Sequence, residues 1–191
     1  MDYDSCAVFS RPYLLLSESA MEEFSSMFDV DQGGKTAYDA VVVGLAPERF
    51  TYQHLNTAFR VLVHGNHSTI TRGNRAPITF IATHKSRYLE ETDGLSLGPG
   101  GFVNALEYAL GGTTRAEVVG KPETAFFRMA LESLRQEGVE EVDWRNVAIV
   151  GDDAEADLGG GAIELGLRRI LGAFILERYF KSAYVVFLAS Q

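Results

Sequence analysis

The sequence predicts an α/β fold built on a mostly parallel sheet, and three observations support this prediction. Short runs of apolar and β-branched residues alternate with segments of helical period, as they do in β-α-β units. The most apolar run, residues 40–45, indicates a strand that is buried on both faces. Glycine and proline mark the ends of the elements. The predicted strands are residues 12–16, 40–45, 78–82, 116–119, 147–150 and 169–176.

The segments between these strands carry the spacing and the end signals of helices. Thr51 is a natural N-cap, and apolar residues recur after it at helical spacing up to Gly65. Pro122 suits the first position of a helix that Gly138 ends. The predicted helices run from a cap at 17–19 through residue 24, and over 51–65, 102–110, 122–138 and 155–165.

The composition is that of a globular protein and excludes several classes of function. The chain has 191 residues, of which 46% are hydrophobic and 23% charged, so disorder, collagen and coiled coil are excluded. Its 17 Lys and Arg against 26 Asp and Glu give a net charge of −9. An acidic chain repels nucleic acid and anionic membranes, so we expect no binding to either.

Cysteine content and chain ends indicate a cytoplasmic protein. Cys6 is the single cysteine, which excludes an internal disulfide and a cysteine-built zinc site. The start of the chain lacks the basic and apolar regions of a secretory signal, and no run of about 18 apolar residues predicts a membrane span. His64 and His67 lie in a predicted polar loop, 64–76, and we expect them to be solvated.

Charged side chains follow two of the predicted strands, at the edge of a parallel sheet where ligands bind. Lys121 comes after the strand at 116–119, and Asp152, Asp153 and Asp157 come after the strand at 147–150. Clustered carboxylates favour hard cations such as Mg²⁺, and a lysine is a point charge suited to a phosphate oxygen. The pattern indicates metal-assisted phosphoryl chemistry.

A structural interpretation of the same residues stays open. A strand that ends in Gly-Asp-Asp is also a good helix start, because carboxylates accept hydrogen bonds from free N–H groups and suit the helix dipole. Lys121 alone is compatible with an ordinary solvated charge. Spacing by itself does not separate the capping role from the metal site.

Two longer motifs give the sequence a family resemblance. VVGKP, which contains Lys121, and IVGDDAEADLGG, which contains the three aspartates, resemble the third and fourth motifs of the haloacid dehalogenase-like hydrolases. The segments RPYLLLSESAMEEF, VVVGLAPERFTYQHLNTAFRVL and HKSRYLEETDGLSLGPGGFVNALEYA extend the resemblance to the subclass with an inserted α/β cap. It implies a partial doubly wound parallel-sheet core with an α/β cap domain. The implied boundaries are 1–10 for an N-terminal tail, 11–114 for the cap, 115–176 for the C-terminal half of the core and 177–191 for a divergent tail.

The resemblance also implies roles for the charged residues. Asp152 and Asp153 would be the metal-binding residues for a Mg²⁺ cofactor, and Lys121 would bind the phosphoryl group of the substrate. Asp157 would act with Lys121 in the catalytic site, by orienting it or by binding the metal through water. The implied activity is hydrolysis of phosphate monoesters or phosphoramidates through an aspartyl-phosphate, on small phosphorylated molecules or phosphorylated side chains.

The sequence departs from this pattern where the nucleophile is expected. The Asp-x-Asp near the start, Asp2 to Asp4, follows no buried strand, so we expect neither residue to be catalytic. Two hypotheses follow: a phosphatase of this family, or a truncated isoform or pseudo-hydrolase that acts only as a binding module. A half-core would expose strand edges, which favours a homodimer.

Overall fold

The computed structural model describes residues 9–25, 38–67, 78–112, 114–136, 144–172 and 184–187. The chain divides into two compact units, Met1–Val118 and Val119–Gln191. Asp2, Asp4, Cys6 and most of the predicted loop at 64–76 lie outside the described residues. No helix in the described part of the chain is long and apolar enough to cross a membrane.

The first unit is built on a four-stranded parallel sheet, which confirms the predicted α/β class. The strand order is β1-β2-β3-β6, with every neighbouring pair parallel. Pro12 pairs with Ala40, and Ala40 pairs with Thr79. β1 and β2 are buried at every position, as expected for strands covered on both faces. The strands are β1 (Pro12–Leu15), β2 (Ala40–Val43), β3 (Thr79–Ala82) and β6 (Glu117–Val118).

Helices cover both faces of this sheet and complete two apolar clusters. One cluster joins Leu62 of α2 and Val103 of α3 to alternate residues of the strands. The other places Met21 and Phe24 of α1 against Leu14, Leu16 and Val42. The helices are α1 (Glu18–Ser25), α2 (Tyr52–His67) and α3 (Gly100–Ala109), with a short 3-10 helix over Pro47–Arg49. The predicted end of α2 at Gly65 is therefore two residues too early.

A β-hairpin in the first unit was missed by the sequence prediction. Its strands, β4 (Tyr88–Glu91) and β5 (Gly94–Leu97), pair antiparallel with Leu89 opposite Ser96. Gly94 adopts φ +130°, a backbone conformation that side-chain-bearing residues rarely reach, and this lets the chain reverse directly after Asp93. Tyr88, Leu95 and Leu97 remain exposed on the hairpin.

The second unit has a three-stranded sheet of order β8-β7-β9, with β8 parallel and β9 antiparallel to the central β7. Its core packs Phe127 and Leu131 of α4 against Ile149 of β7. Trp144 packs against the same core. The elements are α4 (Thr124–Gln136), a 3-10 helix over Trp144–Asn146, β7 (Val147–Gly151), α5 (Gly160–Glu164), β8 (Arg168–Leu171) and β9 (Tyr184–Phe187).

Several predicted bounds in this part of the chain were wrong. The helix predicted over 155–165 is α5, which begins only at Gly160, because turns hydrogen-bonded to Asp153 occupy residues 154–158. The helix predicted from Pro122 begins at Thr124. The strand predicted over 116–119 is β6, only two residues long, and it pairs with β3. Within the divergent tail, the structure describes β9 alone.

Candidate functional site

The candidate site lies in the second unit, where the structure brings Lys121 to Asp157. Lys121 Nζ donates to Asp157 Oδ1 at 2.6 Å, although the two residues are 36 positions apart in the chain. Asp157 is only 3% exposed, whereas the Lys121 side chain keeps 29% of its surface accessible. A buried carboxylate therefore holds a lysine whose side chain is partly exposed.

The turn between β7 and α5 fixes the position of Asp157. The Asp157 N–H donates to the carbonyl of Asp153 at 2.9 Å, and the Asp153 N–H donates to Asp157 Oδ2 at 3.3 Å. Gly151 lies directly beneath this side chain, because a Cβ at residue 151 would come within 2.4 Å of Asp157 Cβ. The glycine at the end of β7 is therefore the residue that lets the carboxylate approach the strand.

The backbone that carries Lys121 is held against the start of α5. Lys121–Pro122 is a cis peptide bond, and the Pro122 carbonyl accepts from the Gly161 N–H at 2.7 Å. A Cβ at residue 161 would lie 2.4 Å from Thr124 Cα, so only glycine permits this approach. The hydroxyl of Thr124 also donates to the Glu164 carboxylate. Contacts at both ends of the segment position Lys121.

Asp153 acts as a turn cap in this structure, which is the structural role that the sequence left open. Its Oδ1 accepts the N–H groups of Glu155 and Ala156, both at 2.9 Å. Asp152 and Asp153 are exposed. The turn therefore uses one oxygen of Asp153. The same aspartate fits the sequence pattern of a cap and that of an acidic motif, so the pattern alone could not separate the two roles.

The three predicted carboxylates do not form a closed metal-binding cluster. Across the described segments, no group of three or more His, Cys, Asp or Glu side chains is arranged to hold a metal ion. Asp157 is engaged by Lys121, and Asp153 by the turn, so Asp152 is the carboxylate with the fewest local partners. By themselves these residues do not fit a complete Mg²⁺ coordination shell, which takes six oxygen ligands.

A second buried carboxylate, Glu107, was missed by the sequence analysis. It is 1% exposed on α3 and accepts from Lys85 Nζ at 2.9 and 3.0 Å, Arg115 Nη1 at 2.8 Å and the Ala116 N–H at 3.0 Å. Burial alone would raise the pKa of Glu107, but the hydrogen bonds from Ala116, Lys85 and Arg115 outweigh it and hold the pKa below 4.5. The signal for Glu107 was a charged residue within the apolar stretch of α3.

Comparison with curated proteins gives relatives that share most of this chain. It is 46% identical over 161 residues to haloacid dehalogenase-like hydrolase domain-containing protein 2 of Bos taurus, which covers 84% of this chain and 52% of the relative. It is 39% identical over 160 residues to phospholysine phosphohistidine inorganic pyrophosphate phosphatase of Rattus norvegicus, covering 84% and 50%. The chain thus spans about half the length of the curated relatives it matches.

Two further comparisons agree with these relatives. The family model described as HAD-hydrolase-like matches residues 118–173, the part of the chain that contains Lys121 and Asp157. The fold resembles that of p-nitrophenyl phosphatase from Archaeoglobus fulgidus with a TM-score of 0.65 and 24% identity, covering 90% of this chain and 58% of that one. By sequence relatives, family model and fold together, the chain belongs to the haloacid dehalogenase-like hydrolases.

Proposed function

We propose that this chain carries the phosphate-binding lysine of a phosphatase that acts on small phosphorylated molecules or phosphorylated side chains. The observation that supports the proposal is the Lys121–Asp157 ion pair. It joins the ammonium group of a partly exposed lysine side chain to a buried carboxylate. Relatives named as a hydrolase and a phosphatase support the reaction class.

Lys121 can serve two partners at once. An ammonium group has three N–H donors, and Asp157 Oδ1 uses one of them. The remaining donors can bind oxygens of a phosphate group and offset its negative charge. Asp157 acts as a positioning residue, since its 2.6 Å contact orients the ammonium before substrate arrives. Preorganised charge of this kind lowers the cost of reorganisation during phosphoryl transfer.

Asp152 and Asp153 remain the proposed metal-binding residues, in a reduced role. When bound, Mg²⁺ supplies charge neutralisation at phosphoryl oxygens in hydrolases of this kind. Because the turn already uses Asp153 Oδ1 and Lys121 engages Asp157, we expect weak Mg²⁺ binding that depends mainly on Asp152.

The nucleophile of the reaction is proposed to lie outside the described residues. The described residues contain no Asp-x-Asp pair, the pattern that supplies the attacking carboxylate in the family that this sequence resembles. Because Asp2 and Asp4 follow no predicted buried strand, we expect the purified 191-residue chain to bind phosphate without turning over a phosphate ester. The second candidate function, that of a non-enzymatic binding module, rests on this expectation.

The first experiment measures binding and turnover separately. Inorganic phosphate is titrated into the full chain and followed by amide chemical shifts, while release of 4-nitrophenol from 4-nitrophenyl phosphate with Mg²⁺ reports turnover. We expect shifts centred on the amides of Gly120 and Lys121, and no turnover. Lys121→Met removes the shifts, whereas Arg168→Gln, which removes one charge from an exposed residue of the same unit, leaves them unchanged.

Two results would overturn parts of this proposal. If phosphate causes no shift near Lys121, or equal shifts in the Lys121→Met protein, the lysine is a structural cation only. If the purified chain hydrolyses the ester and Asp152→Ala abolishes that activity, the nucleophile is present in this chain and the expectation of no turnover is wrong.

A further inference from the structure

The first unit contains a cavity of about 310 Å³ that the proposed phosphate site does not use. It lies between the β4–β5 hairpin, the segment around the 3-10 helix and the start of α3. Its volume is at the lower end of the range for small-molecule sites, about 300–1,000 Å³. The cavity therefore suits a ligand with a single ring or a short branched chain.

One wall of the cavity is aromatic. The rings of Phe50 and Phe102 stack with their centroids 3.9 Å apart and an interplanar angle of 16°. Leu45, Leu89 and Leu97 line the cavity with them. Aliphatic walls bury an apolar body, and the face of an aromatic ring attracts an organic cation as well. The lining contains no Lys or Arg, so no positive charge in it repels a cation.

The polar part of the lining is a carboxylate. Glu91 and Ser96 contribute to the cavity, and the Ser96 hydroxyl donates to Glu91 Oε2 at 2.5 Å. Glu91 is the one charged residue in the lining of this cavity. A carboxylate without a cationic neighbour in the lining favours a cation over an anion.

The hairpin that forms the outer wall is tied closely to the chain beneath it. Gly98 N–H donates to the Arg87 carbonyl and Gly100 N–H to the Ser86 carbonyl, both at 3.0 Å. A Cβ at residue 98 would lie 2.3 Å from the Ser86 carbonyl oxygen, so glycine is required at this contact. These contacts fix the base of the hairpin, and a ligand would meet a preformed wall.

We propose that this cavity binds an organic ammonium cation with an apolar body of about one aromatic ring. The apolar part lies against Phe50 and Phe102, and the ammonium donates to the Glu91 carboxylate. The proposal concerns a second site, entirely within the first unit. It stands whether or not Lys121 binds phosphate.

The experiment titrates three probes of matched shape into the full chain. These are 2-phenylethylammonium, the neutral 2-phenylethanol and the anionic 3-phenylpropanoate, each followed by amide shifts of residues 89–97. We expect the ammonium to bind about tenfold more tightly than the alcohol, and the anion to give no saturable shift. Equal affinity for the ammonium and the alcohol would overturn the cationic specificity. Absence of saturable binding by the ammonium would overturn the site.

Variants of the hairpin separate recognition from folding. Glu91→Gln is expected to weaken ammonium binding about tenfold, while Glu90→Gln, on the opposite face of the same strand, leaves it unchanged. Ser96→Ala removes the hydroxyl that bonds Glu91 but keeps the carboxylate, so binding should persist. If Glu91→Gln unfolds the hairpin, the three probes still decide the question on the parent chain, because equal affinity for the ammonium and the alcohol contradicts a role for the carboxylate. Loss of binding in Glu90→Gln contradicts the assignment to Glu91.

Discussion

Two buried carboxylates, one in each unit, are each bonded to a lysine, but they differ in how many cations share them. This number distinguishes a structural ion pair from a candidate phosphate-binding site. Glu107 is 1% exposed and accepts from two cations and a backbone N–H. Asp157 is 3% exposed, and its only cationic partner among the described residues is Lys121. Glu107 has its hydrogen-bonding capacity filled by the fold. Asp157 accepts one bond from Lys121, whose side chain is partly exposed and whose ammonium has N–H donors to spare.

Burial of a carboxylate therefore does not by itself indicate function, since Glu107 and Asp157 are both buried. Lys85 and Lys121 are nearly equally exposed, at 28% and 29% of their side chains. What differs is the number of partners that share the carboxylate. A saturated carboxylate holds its cation on both oxygens, whereas a carboxylate with one cation orients it and leaves it available to a ligand.

The largest expected effect is the loss of Glu107. Glu107→Ala leaves Lys85, Arg115 and the Ala116 N–H without their shared acceptor, and we expect a loss of about 3 kcal/mol in the free energy of unfolding. Urea denaturation followed by circular dichroism measures it. Glu117→Ala, at an exposed strand position of the same unit, should stay within about 0.5 kcal/mol of the parent. Equal losses in both variants would show that the Glu107 contacts carry little energy.

The next effect comes from the space beneath Asp157. Gly151→Ala places a methyl group 2.4 Å from Asp157 Cβ, and we expect a destabilisation of about 2 kcal/mol. Fluorescence of Trp144, the single tryptophan, reports unfolding of the second unit. Gly101→Ala, in α3 of the first unit, is the control for adding a methyl group, because nothing lies within 4 Å of the added carbon there, and its unfolding is followed by circular dichroism. An unchanged unfolding midpoint in the Gly151→Ala protein would mean that the turn moves freely away from β7.

Removing the two lysines tests the comparison directly. Lys121→Met leaves buried Asp157 with a backbone N–H at 3.3 Å, so we expect a loss of about 1.5 kcal/mol. Lys85→Met leaves Glu107 with Arg115 and the Ala116 N–H, so we expect about half of that loss. Amide hydrogen exchange measures both units in one experiment. If Lys85→Met lowers stability more than Lys121→Met does, the number of hydrogen-bond partners of the carboxylate does not distinguish the two ion pairs.

The parts of the fold that were predictable from sequence are those set by local pattern. β1, β2 and β3 are apolar runs buried against helices, and their period and length identify them without knowledge of partners. The VVGKP and IVGDDAEADLGG motifs carried the family resemblance, which implied that Asp157 orients Lys121, and the two side chains are in contact. Strand ends alone did not predict this contact, because β6 and β7 belong to different sheets. The hairpin carried its own signal, Asp93-Gly94, which marks a tight turn.

What the sequence did not reveal depends on contacts between distant residues. Glu107 is buried only because Lys85 and Arg115 reach it from segments 22 and 8 residues away. β6 joins the first sheet by pairing with β3, a register that no local pattern specifies. α5 begins only at Gly160 because the turns capped by Asp153 precede it, and no local pattern distinguished those turns from the first turn of a helix. Local propensity carries no information on such tertiary requirements.

The smallest expected effect is a dependence of stability on pH in the first unit. The folded-state pKa of Glu107 lies below its ordinary value of 4.5, so the unfolded chain binds a proton more readily than the folded one. The stabilisation is present above about pH 4.5 and is lost as the pH falls through the folded-state pKa. The effect is smaller than that of Glu107→Ala, because a protonated carboxyl still packs and still accepts hydrogen bonds. Unfolding free energies at pH 6 and below pH 4, compared with those of Glu107→Gln, isolate this contribution. The variant should lose less stability on acidification than the parent, because residue 107 then has no proton to gain. Equal acid sensitivity in the two proteins would assign it to carboxylates other than Glu107.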